Sequence, residues 1–169
     1  MIVYHGSNTE ISAVDLEKCR PCKDFGRGFY TTILKDQAWR MALRTVRRYG
    51  GNPCVTAFTI DENIFTDSSF KVLVFENPCE EWARFILNNR NPQVTGIQGL
   101  ESNRDSKYDI VKGPVANDDL NFIFNQYVTG LVPIEYLVEQ MKAKKLTNQI
   151  SFHTAKAAGL LQRTGVFHD

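Results

Sequence analysis

The residues best suited to chemistry stand in three short segments: "YHGS" (4–7), "DFGRGFYTT" (24–32) and "NQISFHT" (148–154). Each reads as part of a strand, yet each carries polar groups that a simple sheet does not need. His5 brings an imidazole to a strand end, and the Gly6 backbone directly behind it is open to close approach by a ligand. Ser7 adds a hydroxyl. Gly26 and Gly28 flank Arg27 and free the backbone just before Tyr30, which suits a turn that passes close to a bound ring. Gln149 and His153 lie four residues apart, on one face of a late strand. Taken singly, the same residues have plain roles: His5 a hydrogen-bonded strand-end histidine, Tyr30 a sheet aromatic, Gln149 a solvent-facing strand residue. "FGRGFY" is not a dinucleotide-type phosphate loop, because it has only two glycines and leads into a strand, so a Rossmann enzyme is not expected.

Holding these groups requires an α+β frame. Strands are expected at 2–5, 27–33, 54–60, 70–75, 108–116 and 148–154, where β-branched and aromatic residues lie between turn formers. A helix is expected over 35–50, with Ala38, Met41, Ala42, Val46 and Tyr49 at helical spacing and Gly50 and Gly51 as its stop. Further helices are expected near 79–90 with Trp82, Phe85 and Ile86 on one face, after Asp118 and Asp119, and from about Pro133 to the basic run at 142–145. A short closing helix or turn is expected near 155–162. Strands and helices do not alternate regularly enough for a doubly wound parallel sheet. With no repeat or linker, one domain over residues 1–169 is expected, and the polar stretch 91–107 is expected to be a functional loop.

Composition narrows the partners. A net charge of +1 leaves no global electrostatic footprint for nucleic acid or a membrane surface, so such a partner would need a local patch. No apolar run approaches the roughly 18 residues of a membrane span and no signal peptide is evident, so a cytoplasmic protein without a membrane partner is expected. "CRPC" (Cys19, Cys22) lacks the second pair of a zinc knuckle, and metal chemistry is not expected. Arg40, Arg44, Arg47 and Arg48 share one face of the first helix; this is a solvated face, or a contact for a pyrophosphate, an acidic partner or a nucleic-acid backbone.

The three segments resemble, in order and spread, the signature segments of the ADP-ribosyltransferase superfamily in its His-Tyr-Glu-like branch. The chain also resembles, over most of its length, an uncharacterised bacterial family grouped with those transferases. The resemblance implies a split antiparallel sheet with flanking helices and NAD as substrate, bound between the first two strands and the late strand. His5 is then implied to bond a ribose hydroxyl and the Gly6 backbone to hold the nicotinamide amide. Tyr30 is implied to stack on the nicotinamide ring, with Ser7, Gly28 and Thr31 lining the pocket. Gln149 falls where the family carries a catalytic glutamate. A carboxylate there stabilises the cationic sugar formed as nicotinamide leaves, and glutamine orients without charge. On this reading Gln149→Glu speeds NAD cleavage. A substitute acid could come from Asp118, Asp119, Glu101 or Asp105, although Asp118 and Asp119 read first as helix caps. The implied activity is transfer of ADP-ribose to a protein or nucleic-acid acceptor, with a toxin or effector role and a neutralising partner. The alternative is a catalytically silent NAD-binding or protein-interaction module.

Overall fold

A computed structural model describes residues 1–91, 102–116, 118–143 and 146–168, with the side chains of Asp118, Asp119 and Asn121 left out. The fold is α+β, built on two sheets. The first has the order β1 (Ile2–Ser7), β3 (Cys54–Thr59), β7 (Gln162–His168) and is antiparallel throughout. The second has the order β2 (Phe29–Thr31), β6 (Asn148–Phe152), β5 (Ile110–Pro114), β4 (Val72–Val74).

In the second sheet β4 and β5 run parallel, with Val72 opposite Ile110, whereas an antiparallel sheet was expected. The helix α2 (Glu80–Arg90) lies in the connection and carries the chain back to the starting end, as a parallel pair requires. The strand β7 has no counterpart among the expected elements. It is an edge strand with Gln162, Arg163 and Thr164 exposed, so its sequence lacks the apolar run of a buried strand.

The helix α1 (Lys35–Tyr49) covers β1 through a narrow seam of small residues, Ala38 and Ala42. A Cβ on Gly6 would sit 1.8 Å from the Ala38 carbonyl oxygen, so glycine is what lets helix and strand backbones meet. This close seam keeps the larger Met41 and Tyr49 out of the interface. They are 42% and 47% exposed, against the inward positions that spacing assigns them. Gly50 ends the helix at φ 74°, its N–H donating to Val46.

Among the described residues two apolar clusters fill the interior. Val3, Phe29, Phe58, Ile110, Ile150 and Phe152 pack between the sheets. Phe25, Trp82, Phe85, Ile86, Val111 and Leu120 join the other face of the second sheet to α2, α3 (Asp118–Val128) and α4 (Ile134–Lys142). Pro133 is the N-cap of α4, one position before the place expected for it. The short α5 (Ala155–Ala158) follows β6. Among the described residues no helix is long and apolar enough to cross a membrane.

Candidate functional site

The site begins where the two sheets touch. Among the described residues β1 and β2 share a single bridge, Tyr4 to Thr32, made by N–H to carbonyl bonds of 2.7 and 2.9 Å. Continued antiparallel, that register would set Gly6 opposite Tyr30, but no backbone bond joins them and the strands part. His5 spans the opening: its Nδ1–H donates to the Tyr30 carbonyl at 2.7 Å, while the ring stacks on Phe29 with centroids 4.2 Å apart. Burial lowers its pKa; the Tyr30 carbonyl raises it and the charge of Lys23 lowers it further. The imidazole is therefore neutral, with Nε2 a lone-pair acceptor that meets no described donor. Since Tyr4 bonds outward to Thr32, alternation turns the Gly6 N–H and C=O to the same outward edge, away from β3.

Tyr30 and Gln149 share the other face of the second sheet. Tyr30 pairs with Ser151, and Gln149 stands two residues before it on β6. The Tyr30 hydroxyl donates to the Gly26 carbonyl at 2.7 Å and accepts from the Phe25 N–H at 2.9 Å. Burial, and then the negative charge of Asp24, raises the phenol pKa well above its usual value. Tyr30 is thus a clamp on the turn that carries Asp24, and Gly26 makes that turn at φ 92°.

Asp24 is the residue that sequence reasoning missed. It is 8% exposed and gathers donors from three distant parts of the chain. Arg90 of α2 gives Nε and Nη2 to Oδ1 at 2.9 and 2.7 Å, and Gln149 gives Nε2 to Oδ2 at 2.8 Å. The Ala116 N–H adds a bond at 3.2 Å, and Arg90 also donates to the Ala116 carbonyl at 2.7 Å. Gln149 is consequently buried, contrary to its solvent-facing reading. Because Asp24 only accepts, the atom facing it is the amide nitrogen, which leaves Oε1 as an acceptor that no described donor meets. The one available sequence signal was the position of Asp24 inside "DFGRGFYTT".

The remaining candidates hold the frame. Thr31 is buried and its hydroxyl donates to the Ile150 carbonyl at 3.0 Å. Ser7 Oγ accepts from the Thr9 N–H at 3.4 Å. Gly28 passes close to a ring, but a protein one: its Cβ would lie 2.6 Å from His153 Nδ1. Asp105 accepts from the Lys107 N–H at 3.2 Å in an exposed turn. Glu101 and the side chains of Asp118 and Asp119 lie outside the described residues, as does most of the 91–107 stretch. Cys19 and Cys22 are free, and among the described residues no group of three His, Cys, Asp or Glu side chains gathers as a metal ion requires. A cleft of about 780 Å³ opens elsewhere, lined by Arg27, Phe58, His153, Leu161 and Arg163 but by none of His5, Gly6, Tyr30 or Gln149.

His153 is 5% exposed and burial lowers its pKa to about 4. Neutral, it donates Nδ1–H to the Arg27 carbonyl and accepts the Ser151 hydroxyl proton at Nε2, both at 2.7 Å. A histidine that binds its proton less readily folded than unfolded makes stability fall as pH drops from about 6.5 to about 4, and no further below. At about 1.4 kcal/mol per unit the loss is roughly 3 kcal/mol. Urea unfolding at several pH values should show this slope in the native protein, and His153→Gln should remove that component. An unchanged slope in the variant would refute it.

The family model described as "Protein of unknown function (DUF3990)" matches residues 1–162. The chain belongs to this family. No curated protein and no solved structure gives a match. The matched span takes in β1, β2, α2 and β6, and with them every residue of the His5–Tyr30 opening and the Asp24 cluster.

Proposed function

We propose that this DUF3990 chain is an NAD-dependent ADP-ribosyltransferase, with the split sheet of that superfamily, which transfers ADP-ribose to a macromolecular acceptor and releases nicotinamide. The observation that carries this reading is the opening between β1 and β2, where the His5 imidazole and the outward Gly6 peptide face an unbonded strand edge. An N–H and a C=O side by side suit a carboxamide, which needs one acceptor and one donor. The bare acceptors His5 Nε2 and Gln149 Oε1 suit donors such as ribose hydroxyls.

In this reading Asp24 holds Gln149 in orientation, and Gln149 positions the sugar. Asp24 has its oxygens taken by Arg90, Gln149 and Ala116, so it acts through Gln149 and does not touch substrate. The second reading, a silent NAD-binding or interaction module, is favoured by the same cluster: Gln149 is uncharged and Arg90 balances Asp24.

Calorimetry with NAD and a nicotinamide-release assay separate these. The native protein should bind NAD, and His5→Ala should weaken binding roughly tenfold, the value of one hydrogen bond of about 1.4 kcal/mol. Binding without nicotinamide release, with or without cell extract as acceptor, selects the module. Equal affinity in both proteins refutes the site.

A further inference from the structure

The outward face of α1 is strongly basic. Arg40, Arg44, Arg47 and Arg48 are all exposed, and the only acid on the helix is Asp36. Arg40, Arg44 and Arg48 follow one another four residues apart, a straight stripe that climbs about 6 Å per step. Like charges at this spacing destabilise the helix that carries them. Arg47 and Arg48 lie in the last turn, where the helix dipole favours cations; Arg40 and Arg44 lie too far back for that.

The basic track continues past the helix end. Arg20 donates to the Tyr49 hydroxyl and holds its guanidinium carbon 4.0 Å from the ring centroid, while Arg48 stands 5.4 Å from the same ring. Asn8 Nδ2 donates to the Gly50 carbonyl at 2.9 Å, which ties this end of α1 to the end of β1 beyond His5 and Gly6. Lys23 comes next. Desolvation lowers its pKa, the Asp24 carboxylate beside it raises it, and Arg20, Arg90 and Arg48 lower it further; Lys23 acts in turn on His5. The positive groups therefore run from the middle of α1 to its C-terminal end, which is tied to the end of β1 just beyond His5 and Gly6.

We propose that this face holds the phosphate backbone of a single-stranded nucleic acid and leads it to the β1–β2 opening. Guanidinium forks match phosphate oxygens in pairs. The step of about 6 Å is of the order of the distance between successive phosphates on an extended strand, and a basic track ending at an aromatic residue is how proteins hold such strands without reading sequence. An acidic protein segment meets the charge but has no regular anion spacing to match the stripe. That the bound strand is also the ADP-ribose acceptor rests on the proposed function; the binding does not.

The test is fluorescence anisotropy without NAD, using labelled mixed-sequence DNA and RNA of about a dozen nucleotides across roughly 50 to 200 mM salt. At least one strand should bind, with affinity falling as salt rises. The variant Arg40→Gln/Arg44→Gln/Arg47→Gln, made with a good helix former at exposed positions, should reduce the salt slope by about 2 and weaken binding roughly tenfold or more. Its helix content by circular dichroism and its NAD affinity should match the native protein. No binding at the lowest salt, an unchanged slope in the variant, or equal affinity for polyglutamate would overturn the proposal. His5→Ala keeps the two readings apart: it should bind NAD roughly tenfold more weakly and still bind the strand as the native protein does.

Discussion

Asp24→Ala should lower the unfolding free energy by about 3–5 kcal/mol, the usual cost of breaking a buried ion pair by removing one member. In the native protein Asp24 and Arg90 are an ion pair at 2.7 Å, with side chains 11% and 25% exposed. Removing the carboxylate leaves the guanidinium facing the Gln149 amide and the Ala116 N–H, donors against donors. For a domain of this size the loss corresponds to a melting temperature lower by about 10 °C. The double variant Asp24→Ala/Arg90→Met should recover part of it, because it removes the guanidinium along with the carboxylate it faced. A single variant as stable as the native protein would mean that the pair is solvated in solution.

This pair also shows where a sequence stops being legible. The strands β1, β3, β5 and β6 and the helices α1 and α2 announce themselves within a dozen residues each, through apolar spacing and bounding glycines, and all six stand close to their expected ranges. Strand direction is a different kind of fact. Whether Val72 meets Ile110 in parallel depends on how α2 returns the chain, which nothing inside either strand encodes. Burial on α1 was misread because helical periodicity marks a face but not its width; the Gly6–Ala38 contact sets the width and pushes Met41 and Tyr49 outward.

Within the site, the family resemblance of their segments implied a shared neighbourhood for His5 and Tyr30, which lie 25 residues apart. It said nothing of Asp24 and Arg90, which are 66 residues apart, or of Asp24 and Gln149, which are 125 apart. An aspartate beside two glycines reads as a turn former. Only the arrival of three donors from other elements turns it into a buried anion.

That anion reverses the expectation for Gln149→Glu. Without Asp24, a carboxylate at 149 would simply add charge beside a developing cation. With Asp24 Oδ2 2.8 Å from the Gln149 nitrogen, it creates two carboxylates in contact. At about 3–4 Å and an effective dielectric near 20 their repulsion is roughly 4–5 kcal/mol. One of the two must take up a proton, so the pKa of Glu at 149 rises above its unfolded value of about 4.3. A raised carboxyl pKa makes the folded state hold more protons than the unfolded one. The stability deficit against the native protein is therefore small near and below pH 4.3, grows as pH rises through the raised value, and is constant above it. Chemical denaturation across that range should trace this curve, and a deficit independent of pH would rule out the carboxylate contact. Under the proposed function the variant also releases nicotinamide no faster than the native protein, since the new acid is neutral or displaced. The exchange Asp24→Asn/Gln149→Glu restores one amide and one carboxylate across the same hydrogen bond. It should regain part of the stability, the remainder being lost because an amide nitrogen then faces the Ala116 N–H. It alone places a lone negative charge at 149, and even half of an interaction worth about 4 kcal/mol would speed nicotinamide release by more than about tenfold. A stable exchange variant with native turnover would show that Gln149 does not face the sugar.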